Sequence, residues 1–257
     1  MTVKDIINEL NILAPEEAAL SWDNVGLLVG SPDWEVSKIY IALDATEDVI
    51  NHAIKSGANL LITHHPMIFS SINRVTSEDL CGRRVMKLLE NGIALYAMHT
   101  NFDIYKMGEL ADSKLGLKNT VPLEICTPDD RGIGSIGVLS EETTLGDCAA
   151  FVKNAFELSS VKVFGDPETV IKKVAVLPGS GKSDIDNAIA AGADVLITGD
   201  IDHHSGIDAV QDGLMIIDAG HYGVEHIFIK YMEKYLGEKC SEIETLCEPK
   251  KEPFYVI

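Results

Sequence analysis

The sequence predicts an α/β protein made of two similar halves with largely parallel sheets. Three observations support this fold class. A segment of the chain occurs twice, both copies contain short continuous apolar runs typical of strands buried on both faces, and a helical pattern separates the runs in each copy. Alternation of strands and helices is typical of βαβ units, so each copy is expected to form one half of the fold.

The repeat begins at Lys38 and again at Lys173, 135 residues later, and the two copies align without a gap. The run Leu61–Thr63 matches Leu196–Thr198 residue for residue. Both copies are therefore expected to contain the same elements in the same order: a strand, a helix, a glycine turn and a second strand.

The predicted elements follow in chain order. An amphipathic helix opens the chain and stops near Pro15, with apolar residues at helical spacing at Val3, Ile6, Ile7 and Leu10. Gly57 and Gly192 lie where a glycine is expected to end the helix of each repeat. A further apolar strand opens at Gly92 in the first copy and at Gly213 in the second.

Composition suggests where the two halves divide. A stretch rich in Gly, Asp, Thr and Ser follows residue 125 and is the best candidate for a boundary. We therefore expect a first half at residues 1–125 and a second half at residues 126–239. Residues 240–257 are expected to form a C-terminal edge segment.

Charge and composition exclude several classes of protein. Of the 257 residues, 46% are hydrophobic and 24% are charged, which is typical of a globular protein, and no apolar run reaches the roughly 20 residues that span a bilayer. The net charge of −19 argues against direct binding to a nucleic-acid backbone, which favours a basic surface. The five cysteines contain no CxxC pair and no signal peptide is visible, so we expect a cytoplasmic protein.

Ligand-type side chains cluster where the predicted strands of the first copy end. His64 and His65 follow one strand, which Pro66 terminates, and His99 and Asp103 follow the next. Parallel strands end at the same edge of a sheet, where open α/β proteins bind their ligands. Adjacent side chains of a strand point to opposite faces, so the two neighbouring histidines are expected to serve two different ions.

The second copy carries a comparable set. One strand is followed by Asp200, His203 and His204, and the next by His221 and Glu225, four residues apart at the start of a helix. A spacing of four places the imidazole and the carboxylate on one face of that helix, where they can share a metal ion. The apolar face of the same predicted helix consists of Val224, Phe228, Tyr231, Met232 and Tyr235.

These residues predict a metal centre with the ligands His64, His65, Asp103, His221 and Glu225. Three imidazoles and two carboxylates fill two sites only if a carboxylate or a water bridges the ions, as in centres whose ions lie about 3.5–4 Å apart. The donor set suits two divalent ions of zinc, iron, manganese, nickel or cobalt and does not select among them. A single histidine at a strand end is more often a hydrogen-bonded core or surface residue, and it is the recurrence in both copies that favours a metal.

This combination of motifs resembles the GTP cyclohydrolase 1 type 2 homologues, also called NIF-three-like proteins. The resemblance rests on the segments SWDNVGLLVG, THHP, HTNFD, GSG, GADVLITGD and DAGHYGVE, and it covers essentially residues 1–250. It implies two similar, intertwined α/β halves and a toroidal homohexamer with dinuclear metal sites facing its interior. The passage from Val121 to Val138 is too short for the extra domain of longer members, so the chain resembles the compact bacterial form.

Carried over by motif, the resemblance implies the same five metal ligands. The segment TGDIDHH departs from the family pattern, which commonly has an aromatic residue before its last histidine. His204 is therefore expected to be the site histidine, and His203 its variable neighbour.

Two functions are compatible with such a site. The first is a metal-dependent hydrolase, cyclohydrolase-like or phosphoesterase-like, that acts on a nucleotide or a related ring compound. In it, His99 or His204 would transfer protons, and Asp23 and Asn24 would contact the substrate. The second is a non-catalytic metal store, metal-delivery protein or regulatory scaffold that uses the same ligands. We favour the hydrolase.

Overall fold

The computed structural model describes all residues from Met1 to Ile257. The chain forms two compact units, one containing Met1–Phe102 and Phe228–Lys250, the other Asp103–Ile227 and Lys251–Ile257. It thus leaves the first unit after Phe102 and returns to it at Phe228, whereas composition placed the division near residues 125 and 239. Composition detects flexible, polar stretches, but the units are defined by which elements pack together.

The first unit contains one five-stranded sheet. Its strands are β1 (Gly26–Val29), β2 (Lys38–Ala42), β3 (Leu60–Thr63), β4 (Ala94–Ala97) and β11 (Glu244–Cys247). They lie in the order β1-β4-β3-β2-β11, and only β1 runs antiparallel to its neighbour. The helices of this unit are α1 (Val3–Leu13), α2 (Glu47–Ser56), α3 (Leu80–Glu90), α4 (Thr100–Phe102) and α10 (Ile227–Lys239), which starts at the last residue of the second unit, together with a 3-10 turn at Glu16–Ala18.

The second unit contains a six-stranded sheet. Its strands are β5 (Lys118–Ile125), β6 (Gly132–Thr144), β7 (Lys162–Phe164), β8 (Val170–Ser180), β9 (Val195–Gly199) and β10 (Met215–Asp218), in the order β5-β6-β8-β9-β10-β7. The helices are α5 (Gly108–Leu115), α6 (Leu145–Ala155), α7 (Ile185–Ala190), α8 (His203–Gln211) and α9 (His221–Glu225), with a π-helical turn at Asp103–Met107 and a 3-10 turn at Lys182–Asp184.

The α/β class and the two similar halves are confirmed, although the parallel character of the sheets is mixed. The first sheet is largely parallel, as expected. In the second, only β8, β9 and β10 are parallel, because β5 and β6 form an antiparallel hairpin and β7 pairs antiparallel with β10. Apolar runs reveal a strand but not the direction of its neighbour, which explains the difference.

The internal repeat is visible in the strand registers. In the first unit Ile39 pairs with Leu60, and in the second unit Val174 pairs with Val195, at the positions that the repeat makes equivalent. The glycine prediction also holds, because Gly57 and Gly192 both have positive φ values, +76° and +71°, after their helices.

The N-terminal helix forms as its pattern predicts. The Thr2 hydroxyl accepts a hydrogen bond from the Asp5 amide, and the Asp5 carboxylate accepts one from the Thr2 amide, which together cap α1. Its buried face is made by Val3, Ile6 and Leu10, all fully buried. Burying such side chains contributes about 1.5–3 kcal/mol each, which holds the helix in the first unit.

The predicted C-terminal helix is divided into two. The break falls at His226, where the ring Nδ1 lies 2.9 Å from the carbonyl oxygen of Gly223 and engages it from the side chain. Local competition for a backbone carbonyl is a known cause of helix interruption, and periodicity alone does not show it.

No helix of the structure has both the length and the apolar composition needed to cross a membrane.

Candidate functional site

Three histidines of the first unit form one group. His64 and His65 follow β3, and His99 follows the neighbouring parallel strand β4, so all three lie at the carboxyl edge of the sheet. One ring nitrogen from each lies within 4.8 Å of the others. His64 is completely buried, and the other two are partly exposed.

The adjacent histidines do not project from a regular strand. The chain bends at this point, and the Thr63 hydroxyl donates a hydrogen bond to the His65 carbonyl oxygen at 2.9 Å. The rings of His64 and His65 are therefore near each other, with centroids 5.0 Å apart, instead of on opposite faces. The expectation of opposite faces was based on strand geometry, which ends one residue earlier.

Each of these two rings is oriented through its Nδ1 atom. The His64 Nδ1 lies 2.7 Å from the carbonyl oxygen of Met98, and the His65 Nδ1 lies 2.9 Å from a carboxylate oxygen of Asp44. An acceptor at Nδ1 favours the tautomer with the proton on Nδ1 and the lone pair on Nε2. This is the arrangement that metal-binding histidines use.

His99 is held in the same way by a buried carboxylate. Its Nδ1 lies 2.9 Å from Asp23, whose side chain is fully buried and also accepts hydrogen bonds from the Thr100 amide at 3.0 Å and the Thr100 hydroxyl at 2.6 Å. Burial by itself raises the pKa of Asp23, but the hydrogen bonds from His99 and Thr100 outweigh it and hold the pKa at about 2. Asp23 is therefore ionised at neutral pH and fixes the orientation of His99.

The side chain of Asn24 also makes a contact within the first unit. Its side-chain amide donates to the carbonyl oxygen of Ile68 at 2.5 Å, joining the segment before β1 to the loop after β3. Asp23 and Asn24, predicted to contact substrate, thus both use their polar groups in contacts within the first unit.

The second unit brings His221 and Glu225 together on α9. Their Nε2 and Oε2 atoms are 3.1 Å apart, so the spacing of four places them on one helix face as predicted. The Glu225 carboxylate is 2% exposed. The Nδ1 atom of His221 lies 2.8 Å from Asp200, a residue held at a φ of +60° directly after β9.

Gly179 makes room for this carboxylate. It lies in β8 with a φ of +93°, and a Cβ atom at this position would lie 2.7 Å from Oε1 of Glu225 and 3.9 Å from Nε2 of His221. Real Cβ atoms essentially never come this close to another atom. Glycine is thus required both by the backbone conformation and by the position of Glu225.

The two remaining predicted residues lie in other elements of the second unit. Asp103 begins the π-helical turn of the second unit, a type of irregularity frequent at functional sites. His204 lies on the exposed first turn of α8, where its ring packs against that of His203 at 5.1 Å. Its role as a site residue stays a prediction.

Sequence reasoning missed the role of Asp44, which orients His65. Asp44 follows β2, the parallel neighbour of β3, so its position at the same sheet edge was a usable signal. Asp200 was noted at its strand end, but its pairing with His221 was not expected. Both carboxylates occupy the position that outer partners of metal-binding histidines commonly occupy.

The donor set fits a divalent transition metal. Imidazole rings oriented through Nδ1, together with a buried carboxylate, are the ligands that such ions use in proteins. The structure therefore contains histidine and glutamate groups that could bind a metal ion.

The sequence matches a family model and curated relatives along nearly its whole length. The model of the family Duf34/NIF3 (NGG1p interacting factor 3) matches residues 1–253. A GTP cyclohydrolase 1 type 2 homolog of Clostridium perfringens is 36% identical over 263 aligned positions, covering 100% of both chains.

Solved structures show the same similarity. The Bacillus cereus protein related to NIF3 superposes with a TM-score of 0.93 at 26% identity, over 100% of this chain and 99% of its own. Reduced HcgD from Methanocaldococcus jannaschii superposes with a TM-score of 0.83 at 32% identity, over 96% and 97% of the two chains.

Proposed function

Because the chain belongs to the Duf34/NIF3 family, we propose that it is a dinuclear metal protein and a metal-dependent hydrolase of a nucleotide or a related ring compound. The single observation that supports this most strongly is the orientation of the histidines. His64 and His65 each have Nδ1 engaged by a carbonyl or carboxylate oxygen, which favours a metal-accepting Nε2, and His221 has Nδ1 beside Asp200 and Nε2 beside Glu225. The proposed ligands are His64, His65, Asp103, His221 and Glu225.

The protein's own groups provide the proton chemistry of this proposal. When bound, divalent ions supply Lewis acidity that activates water and polarises the attacked group. His99 is oriented at Nδ1 by the ionised Asp23, so that its Nε2 can accept or donate a proton beside the other two histidines. A non-catalytic metal store or scaffold would need the ligands but not this buried Asp–His pair.

Metal content and turnover test the proposal separately. Elemental analysis of protein purified without chelator should give two divalent transition-metal ions per chain. The metal-loaded protein should then hydrolyse one of a panel of nucleotides and phosphoesters. Two ions without turnover would support the storage or delivery function, and a reproducible single ion after reconstitution would contradict the dinuclear centre.

The change Glu225→Gln should remove at least one ion per chain. The amide keeps the shape of the side chain but removes the charge that holds a cation, while His221 remains in place. His204→Ala is the matched control, because it removes an exposed histidine of the same unit and should leave the metal content unchanged. Full occupancy of both ions in Glu225→Gln would mean that Glu225 is not a ligand.

We also propose that the protein forms a homohexameric ring and works in the cytoplasm. Family resemblance implies the ring, and β5, an edge strand of the second sheet, exposes Val121 and Ile125 at 57% and 61%. Exposed apolar residues on an unpaired edge favour self-association. Light scattering should give about six times the chain mass of 27.9 kDa, and a stable monomer at physiological salt would contradict the proposal. The free cysteines are compatible with a reducing compartment.

A further inference from the structure

Two large aromatic side chains of the first unit are exposed next to the histidine group. Trp22 and Phe69 are 57% and 54% exposed, and their ring centroids lie 6.0 Å apart at an interplanar angle of 51°. The Trp22 ring also meets His99 edge to face, with centroids 6.1 Å apart. His99 in turn lies 5.3 Å from His64, so the aromatic pair borders the proposed metal ligands.

The backbone around Trp22 is tied down although its ring is exposed. The Asp23 amide donates to the Leu20 carbonyl oxygen at 2.9 Å and closes a tight turn that contains Trp22. The Leu20 amide donates to the Thr100 hydroxyl at 2.9 Å. The backbone at Trp22 is therefore held by hydrogen bonds on both sides of it, so this turn loses little conformational entropy when a ligand binds.

A further hydrogen bond links the loop of Phe69 to the segment of Trp22. The Asn24 side chain, two residues after Trp22, donates to the carbonyl oxygen of Ile68, the residue before Phe69. The two loops are thus linked next to both rings. The aromatic pair thus lies on two linked loops beside the histidine group. Apolar surface with a few well-placed polar groups is the usual composition of a ligand site.

We propose that Trp22, bordered by the tilted ring of Phe69, forms a stacking platform for the planar heteroaromatic ring of the substrate. This inference rests on the proposed function and names the part of the substrate that the first unit recognises. The ring stacks on the platform, and the polar part of the same molecule lies towards His64, His65 and His99. Stacking on an aromatic face needs no positive charge, so it can operate on a chain with a net charge of −19.

Tryptophan fluorescence tests the platform directly. Trp22 and Trp34 are the only tryptophans, so Trp34→Phe leaves Trp22 as the single reporter. Guanosine and GTP should quench its emission, whereas ribose 5-phosphate and inorganic triphosphate, which lack the ring, should not. Quenching by the ring-free compounds to the same extent would contradict the proposal.

Affinity provides the second test. Trp22→Ala should weaken GTP binding by about 5- to 100-fold, the range that stacking of one base supplies, and leave triphosphate binding unchanged. Trp22→Phe should retain part of the affinity. Phe151→Ala, which removes a 45% exposed aromatic ring of α6 in the second unit, is the matched control and should bind GTP like the parent protein.

The outcomes separate this inference from the proposed function. If Trp22→Ala keeps its metal and its GTP affinity, the platform is wrong and the metal centre stands. If the protein holds no metal while guanosine still quenches Trp22, the metal proposal fails and the platform stands. If Trp22→Ala dissociates the oligomer in light scattering and Trp22 is shielded from acrylamide without ligand, the pair is a contact between copies of the chain and the platform is wrong.

Discussion

Replacing Gly179 with alanine is expected to lower the free energy of unfolding by about 3 kcal/mol. A φ of +93° is strained for alanine, and left-handed conformations cost roughly 1–2 kcal/mol. The new Cβ would also lie 2.7 Å from the Glu225 carboxylate, and overpacking of this kind typically adds about 1–3 kcal/mol. Denaturant unfolding followed by circular dichroism measures the loss.

Gly57→Ala is the matched control for this change. Gly57 also has a positive φ, +76°, but a Cβ there meets nothing within 4 Å. Gly57→Ala should therefore cost only the conformational strain, about 1–2 kcal/mol. The second substitution Glu225→Ala should recover part of the stability lost in Gly179→Ala, because it removes the group that clashes. Equal costs for Gly179→Ala and Gly57→Ala would show that Glu225 does not lie against β8.

Replacing Asp23 with alanine should be similarly severe in the first unit. The substitution leaves the Thr100 amide, the Thr100 hydroxyl and the His99 ring without the acceptor that they share in a fully buried position. Buried groups deprived of their partners cost about 1–3 kcal/mol each, less whatever rearrangement recovers, so we expect a loss of about 3 kcal/mol. Asp208→Asn, on the exposed surface of α8, should change stability little and serves as the control.

The contribution of Asp23 to the free energy of unfolding should depend on pH in a defined direction. The folded-state pKa of Asp23, about 2, lies below its unfolded value of about 3.9, because hydrogen bonding outweighs burial. The carboxylate therefore contributes stability that is fully present above about pH 4–5 and disappears as pH falls through 2. The stability difference between the parent protein and Asp23→Asn should shrink over that interval. A difference that stays constant from pH 7 to pH 2 would mean that Asp23 is not ionised in its network.

Substitution of Asp23 should also release the aromatic pair. The Asp23 carboxylate joins the turn that contains Trp22 to the Thr100 amide and hydroxyl, and alanine loses this contact although its backbone amide still closes the turn. In Asp23→Ala, the fluorescence anisotropy of Trp22 should fall because its ring becomes more mobile, whereas Asp208→Asn should leave the anisotropy unchanged. The same network thus links stability, the orientation of His99 and the position of Trp22.

Features encoded in a few neighbouring residues were predictable. The capped helix α1, the strands of the repeat and the C-terminal glycines of its helices all depend on periodicity and on the local needs of a backbone turn. The pair His221 and Glu225 belongs to this group, because a spacing of four on a helix determines its own geometry.

Features that depend on individual turns and side-chain hydrogen bonds were not. The antiparallel pairing of β5 and β6 is set by their hairpin, in which Asp130 adopts a φ of +60°. The bend at His64 and His65, and the break of the last helix at His226, both result from side-chain hydrogen bonds to backbone carbonyl groups. Periodicity carries no information about such bonds.

By itself, the sequence determined the α/β class, the duplicated order of elements and the residue types gathered at the strand ends. Only the tertiary structure decided the contacts and the exposure of these residues: Asp44 orients His65, the buried carboxylate of Asp23 orients His99, and the ring of Trp22 is exposed. The physical reason is that residue type and periodicity act over a few positions. The direction of a ring nitrogen or the burial of a carboxylate is instead set by atoms that folding brings from elsewhere in the chain.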